Sequence, residues 1–197
     1  MSARDAILSA IRARRIRDAR RPPAYAPPAP DADPVARFAA EAASEHAEVR
    51  MLAGDAEIPA AVADILRARN LKAAIHIPEG NDLAGADFGP VAVERTPPGP
   101  DDAALARADF AIAETGTLAY LAAPAAPASW HYRPGLEIAV VRAETIVPCL
   151  ENVLARARTN LPHTLNLVTG PSRTGDIEQT LELGAHGPRA LVVLVVR

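Results

Sequence analysis

Short apolar segments alternate with amphipathic ones along most of the chain, which is the pattern of an α/β protein. Several apolar segments are continuous, such as 138–141 and 191–196. A continuous apolar strand is buried on both faces, and such burial requires a parallel sheet covered by helices. The pattern therefore predicts a layered α/β fold with a mostly parallel sheet, and it shows no internal repeat of fixed period.

Periodicity and the flanking glycines and prolines assign these segments to elements. Helices are predicted over 34–51, 58–69 (with Asn70 as C-terminal cap), 101–108, and 147–158 with Pro148 in its first turn. Strands are predicted over 72–77, 90–94, 110–113, 118–122, 137–141, 164–168 and 190–196.

The N-terminal segment differs from the rest in charge. Residues 1–21 carry seven arginines and two aspartates, a net charge of +5, and Ile7, Leu8 and Ile11 form an apolar stripe on a helix. Six prolines within residues 21–34 indicate an extended linker. The predicted organisation is a basic amphipathic helix over 1–21, a linker over 22–34 and an α/β domain over 35–197. The helix is interpreted as a docking arm for a partner or a second copy; the alternatives are a transit peptide and a solvated basic helix.

Composition bounds the class of protein. The chain has 197 residues, 49% of them hydrophobic, which suffices for one domain with a real core. The net charge of −3 argues against a protein that coats nucleic acid. No window approaches the length of an apolar membrane span, and the first residues lack the apolar region of a secretory signal, so we expect a cytoplasmic protein.

The chain lacks the usual ligand sets for metals and cofactors. Cys149 is the single cysteine, so an internal disulfide and a four-thiolate iron–sulfur cluster are excluded. The five histidines show no zinc-binding spacing, and neither a dinucleotide-binding glycine motif nor a P-loop is present. The sequence therefore predicts a chain without iron, zinc or flavin.

The first candidate site is segment 114–117, Glu-Thr-Gly-Thr, between two predicted strands. Gly116 allows close backbone approach, and Thr115 and Thr117 place a hydroxyl on either side. If burial raises the pKa of Glu114, this glutamate is a candidate nucleophile or general base. In the structural alternative, Glu114 pairs with an arginine and the threonines bond the local backbone.

The second candidate site is segment 169–176, which follows an apolar strand and is expected to open a helical turn. Backbone N–H groups, hydroxyls and a guanidinium at a helix start suit an anion. The candidate ligands are Thr169, Gly170, Ser172, Arg173 and Thr174. Alternatively, Asp176 and Glu178 satisfy the helix dipole and pair with the arginine. Because both candidate segments follow apolar strands, they are predicted to share one edge of one parallel sheet.

Two further segments carry ionisable or aromatic side chains. His186, in the loop before the last strand, is a candidate acid or base, or a structural hydrogen-bonding residue. Segment 129–133, Ser-Trp-His-Tyr-Arg, is a candidate lid or partner contact, or a loop that packs its own aromatic rings.

Three motifs carry a resemblance to a known family. They are Ala-Ile-Ala-Glu-Thr-Gly-Thr-Leu at 111–118, Leu-Val-Thr-Gly-Pro-Ser-Arg-Thr-Gly-Asp-Ile-Glu at 167–178 and Leu-Gly-Ala-His-Gly-Pro-Arg at 183–189. Together they resemble the lactate utilization protein C (LutC/YkgG) family, with its LUD domain. Two departures are Gly175, where relatives usually carry alanine, and the unusual stretch 124–135.

The resemblance implies a fold of the NagB/RpiA/CoA-transferase-like type and a role in oxidation of L-lactate to pyruvate. It also implies two iron–sulfur partner proteins from the same operon, LutA- and LutB-like, which hold the clusters that this chain lacks. The first hypothesis is accordingly a non-redox subunit of a lactate-oxidising system. The others are an independent enzyme of this fold that uses Glu114, and a pure assembly scaffold.

Overall fold

The computed structural model describes residues 2–14, 23, 25–26, 32–159, 162–172 and 187–197, and the backbone of 173–175 and 181–183. The helices are α1 (Ala3–Ala13), α2 (Pro34–Ser44), α3 (Ile58–Ala68) and α4 (Leu150–Ala157). The strands are β1 (Glu48–Leu52), β2 (Ala74–His76), β3 (Ala92–Glu94), β4 (Ala103–Arg107), β5 (Phe110–Ile112), β6 (Thr117–Ala122), β7 (Leu136–Arg142), β8 (Ile146–Val147), β9 (Thr164–Val168), β10 (Arg173–Gly175), β11 (Leu181–Leu183) and β12 (Ala190–Val196).

Six strands form a wholly parallel sheet in the order β1-β12-β7-β4-β2-β3. Strands β7 and β12 lie inside it and pair along seven residues, from Leu136 opposite Ala190 to Arg142 opposite Val196. The predicted α/β fold with a mostly parallel sheet is thus confirmed.

Both faces of this sheet are buried. Ile138 and Val140 of β7 belong to an apolar cluster with α3, whose buried residues Ile58, Val62, Ile65 and Leu66 recur at helical spacing. Ala139 and Val141, which alternate with them, belong to a second cluster with Phe38 and Ala42 of α2. This alternation between two buried faces explains the continuous apolar run in the sequence.

A second sheet, which the sequence pattern did not reveal, packs on the first. Its order is β8-β5-β6-β9; β5 runs parallel to β8, while β6 runs antiparallel to both β5 and β9. Leu118 and Tyr120 of β6 join the α2 cluster, whereas Ala119 packs with Val153 of α4 on the other face. The second sheet therefore lies between the parallel sheet and α4.

Two predicted helices are wrong in whole or in part. Residues 101–108 contain β4, because burial between β7 and β2 outweighs the helix propensity of its alanines. The helix predicted over 34–51 ends at Ser44, and Glu48–Leu52 forms β1 against β12. In both cases, pairing with neighbouring strands determines the secondary structure.

Two further assignments need correction. The helix predicted over 147–158 begins at Leu150, since Ile146–Val147 pairs with β5, and Pro148 therefore precedes the helix. Segment 173–175 is a strand paired with 181–183, not a helical turn. Within the described residues 169–175, the expected helix start is therefore absent.

The N-terminal arm begins with α1, which Ser2 caps by accepting a hydrogen bond from the Asp5 N–H. No residue of α1 is buried, and Ile7 and Ile11 are 60% and 61% exposed. Residues 15–22 and most of the linker lie outside the described residues, so the docking of the arm stays a prediction. In the described part of the chain, every helix is too short or too polar to cross a membrane.

Helix α2 rests directly on two loop glycines. Gly116 and Gly170 have φ angles of 63° and 68°, in the left-handed region that favours glycine. A Cβ at Gly116 would overlap the backbone of Ala42, and one at Gly170 would overlap the carbonyl of Glu45. These glycines therefore let α2 approach both candidate loops.

Gly116→Ala should destabilise the fold much more than Gly89→Ala. Gly89 has a similar φ of 59°, but a Cβ there meets nothing within 4 Å. We expect a loss of about 1–2 kcal/mol at Gly89 from the left-handed backbone alone. At Gly116, the overlap with α2 should add about 1–3 kcal/mol. Urea unfolding measures both values, and equal losses would contradict the proposed contact.

Candidate functional site

The two predicted loops meet at one edge of the second sheet. Thr117 Oγ1 lies 2.7 Å from Thr169 Oγ1 and 2.7 Å from Thr115 Oγ1, so three hydroxyls form a hydrogen-bonded chain. The two loops share an edge as predicted, but the prediction of a parallel sheet is wrong, because this sheet contains antiparallel pairs. Strands β6 and β9 are antiparallel, so the start of β6 lies beside the end of β9.

Glu114 does not occupy the position that its candidate role requires. Its side chain is exposed, and its backbone N–H donates to the Pro148 carbonyl at 3.1 Å. It lines neither of the two cavities considered below. Glu114 therefore lies apart from the cavity that Thr169 and Ser172 line.

Thr169, Gly170 and Ser172 line a cavity of about 300 Å³. The Ser172 N–H donates to the Pro188 carbonyl at 2.8 Å, which ties this loop to the segment before β12. His131 also lines this cavity. The side chains of Arg173 and Thr174, and all of His186, lie outside the described residues.

Behind His131 lies a buried carboxylate, Glu137 of β7, which is only 1% exposed. Its Oε1 accepts hydrogen bonds from the Tyr120 hydroxyl and from His131 Nδ1, both at 2.8 Å. The rings of Tyr120 and His131 stack with centroids 3.7 Å apart. A buried carboxylate is tolerated only with such partners, so the triad fixes the orientation of the imidazole.

This arrangement gives His131 a defined chemistry. A carboxylate only accepts hydrogen bonds, so the proton of this contact lies on His131 Nδ1. In the neutral tautomer with that proton, Nε2 is the unprotonated nitrogen. A histidine oriented by a carboxylate beside a cavity is the usual arrangement of a general base. Burial, together with the nearby Glu137 charge, raises the pKa of Tyr120 well above 10.0, which keeps its hydroxyl a donor.

The triad also contains an unsatisfied atom. In the described part of the chain, Glu137 Oε2 is buried without a hydrogen-bond partner. Leaving such an acceptor unpaired costs about 1–3 kcal/mol, so the carboxylate is not explained by stability alone.

Sequence reasoning did not single out Glu137. The available signal was one acid at the start of an otherwise apolar strand, 138–141, where an unpaired charge is expensive. His131 was noted only as part of a possible lid. Among the described residues, no group of three or more His, Cys, Asp or Glu side chains is placed to hold a metal.

Comparison with known proteins finds one matching domain model and several similar sequences. Residues 101–196 match the model of the LUD domain. The chain is 33% identical over 101 residues to lactate utilization protein C of Halalkalibacterium halodurans, which covers 48% of this chain and 44% of that protein. It is 36% identical over 94 residues to lactate utilization protein C of Macrococcus caseolyticus, covering 45% and 41%. The matches thus span less than half the length of these relatives.

One solved structure is similar over its whole length. The crystal structure of a DUF162 family protein from Deinococcus radiodurans at 1.70 Å resolution has a TM-score of 0.60 and 26% identity, covering 86% of this chain and 100% of that chain. The α/β fold is therefore shared beyond the region matched by the domain model.

Tyr120→Phe should destabilise the protein at neutral pH, by roughly 1.5–3 kcal/mol, because Glu137 loses one of its two donors. The difference in free energy of unfolding between the wild type and Tyr120→Phe should become smaller above pH 10. There the unfolded wild type ionises its tyrosine while the folded state keeps it neutral, so wild-type stability falls by up to about 1.4 kcal/mol per pH unit. Tyr25→Phe, at an exposed position, should follow the wild type. Urea unfolding between pH 7 and 11 tests this, and a constant difference for Tyr120→Phe would contradict it.

Proposed function

We propose that the chain belongs to the LUD domain family, whose model matches residues 101–196, and that it acts in lactate utilisation. The match includes all three motifs that carried the resemblance. More specifically, we propose a subunit without its own redox centre in a system that oxidises L-lactate to pyruvate. Electrons would pass to iron–sulfur partner proteins, the LutA- and LutB-like proteins of the resemblance.

The cysteine content of the chain supports the assignment of electron transfer to partner proteins. A single, buried cysteine, capping α4 with its Sγ 3.0 Å from Asn152 Oδ1, offers no thiolate set for a cluster. Electron transfer is therefore assigned to partners in this proposal. What the chain offers instead is a positioned group for proton transfer.

The observation that carries the proposal is the His131–Glu137 pair at the edge of the cavity that Thr169 and Ser172 line. Oxidation of a 2-hydroxy acid to a 2-oxo acid releases two electrons and two protons. In this proposal the Cα–H bond breaks, and its hydrogen and the two electrons leave to the redox centres of the partner proteins. A base in this chain must then take up the hydroxyl proton. We assign that role to His131 Nε2, with the hydroxyls of Thr169 and Ser172 as ligand contacts.

The other two hypotheses make different demands on the structure. An independent enzyme that uses Glu114 needs this carboxylate in a cavity, and its exposed position does not favour that. A pure scaffold needs no oriented base, so a scaffold role does not explain why Glu137 is buried beside His131. Both remain outcomes of the experiment below.

His131→Gln should reduce lactate oxidation by about 10²–10⁴-fold, the usual contribution of a general base. The assay uses the full chain co-purified with its partners from lactate-grown cells. Gln keeps an N–H donor toward Glu137, so the fold should survive; thermal melting checks this. His163→Gln, at an exposed position, is the matched control and should leave the rate unchanged.

The same preparation separates the alternatives. Full activity of His131→Gln in an intact complex would favour the scaffold and reject the proposed base. Loss of activity in Glu114→Gln alone would instead support the Glu114 enzyme. A complex that forms without this chain and oxidises lactate at the full rate would reject the proposed role altogether.

The purified chain is expected to contain neither iron, zinc nor flavin in stoichiometric amount. Elemental analysis and the visible absorption spectrum measure this directly. About one equivalent of bound metal or flavin would contradict the assignment of redox chemistry to the partner proteins.

A further inference from the structure

A second cavity, of about 340 Å³, lies at the carboxyl ends of β4 and β7. Its wall includes Asn81, Arg107, Asp109 and Arg142, none of which was singled out in the sequence. Arg107 and Arg142 are the last residues of these two neighbouring parallel strands. In open α/β sheets, ligands bind beyond this edge of the sheet.

Arg107 is held rigidly in the wall. Its Nη2 lies 3.1 Å from Asp55 Oδ1, and its Nε lies 2.8 Å from Asp82 Oδ2. The side chain is 13% exposed, and in the described part of the chain its Nη1 is buried without a partner. An unsatisfied buried donor of a charged group is costly, so stability alone does not explain an arginine here.

Arg142 is fixed on one side and open on the other. Its Nη2 lies 2.8 Å from Asp55 Oδ2, so Asp55 bridges the two guanidinium groups. Within the described residues, the other guanidinium nitrogens of Arg142 have no hydrogen-bond partner, and the side chain is 44% exposed. The guanidinium therefore presents free N–H donors at the cavity in an orientation that Asp55 sets.

A second donor comes from a different element. The side-chain oxygen of Asn81 accepts the Leu83 N–H at 3.0 Å, which turns the amide and leaves its NH₂ group without a partner in the described part of the chain. The Arg142 guanidinium and the Asn81 NH₂ group are thus two donors without partners among the described residues, and both residues line the same cavity.

We propose that this cavity binds the carboxylate group of a small organic acid, with Arg142 as the recognition residue and Asn81 as a second donor. One free guanidinium edge matches the two oxygens of a carboxylate. This site is separate from the His131 cavity, and its occupancy does not depend on the proposed function.

The charges around the cavity favour a monoanion over a phosphate dianion. Asp55 and Asp82 pair with the two arginines, and Asp109 also lines the cavity, so no excess positive charge is available for a doubly charged ligand. Burial raises the pKa of Asp109, although the Leu121 N–H and the nearby His131 oppose this.

Isothermal titration of the purified full chain tests the proposal at constant ionic strength. The probes are sodium pyruvate, L-lactate and acetate, with inorganic phosphate and chloride as competing anions. The wild type should bind one or more of the carboxylates. Arg142→Gln should weaken this binding by roughly tenfold to a hundredfold, as expected for the loss of charge-assisted hydrogen bonds.

Two further variants make the result specific. Arg142→Lys keeps the charge without the planar fork and should give an intermediate affinity. Arg158→Gln removes an exposed arginine after α4 and should bind like the wild type. Unchanged binding in Arg142→Gln, tighter binding of phosphate than of any carboxylate, or no carboxylate binding at about 50 mM would each overturn the proposal.

Discussion

Strand β7 is buried on both faces in the interior of the parallel sheet, and it carries a charged side chain near each end. Glu137 lies near its start and Arg142 at its end. Five residues at about 3.3 Å each place the two positions roughly 16 Å apart along the strand. Each charge is held by partners from other elements, so the position of β7 determines the geometry of both cavities.

The two charged residues of β7 offset the cost of leaving water in different ways. Glu137 is fully buried and needs the Tyr120 hydroxyl and His131 Nδ1 as donors, which in turn fixes the imidazole. Arg142 keeps partial exposure and needs only Asp55 for orientation. The first end therefore holds an oriented base, while the second holds an open guanidinium. The second sheet contributes to the first site because β6 supplies Tyr120.

Much of the architecture could be predicted because apolar periodicity reports burial directly. The runs in β7 and β12 predict two-sided burial, and the residues of α3 recur at helical spacing. The second sheet could not be predicted in this way, because Ile146–Val147 and Phe110–Ile112 are too short to carry a period. The alanines of β4 favour a helix locally, and only pairing with its neighbours makes them a strand.

Part of the candidate site could be predicted, because the order of strands along the chain indicates which loops meet. The Thr115, Thr117 and Thr169 hydroxyls follow strands, so their meeting at a sheet edge could be expected. Gly116 and Gly170 proved to accommodate α2, which no local pattern reveals. Glu137 and His131 are six residues apart along the chain, but their contact depends on a turn at 128–131 that returns the ring over β7.

The central claim is that Glu137 orients His131 so that Nε2 is available as a base. Nitrogen-15 NMR of the imidazole at about pH 8.5, where an ordinary histidine is neutral, reads the tautomer directly. We expect Nδ1 to carry the proton in the wild type, and we expect this preference to weaken in Glu137→Gln. A wild-type ring protonated at Nε2 would contradict it.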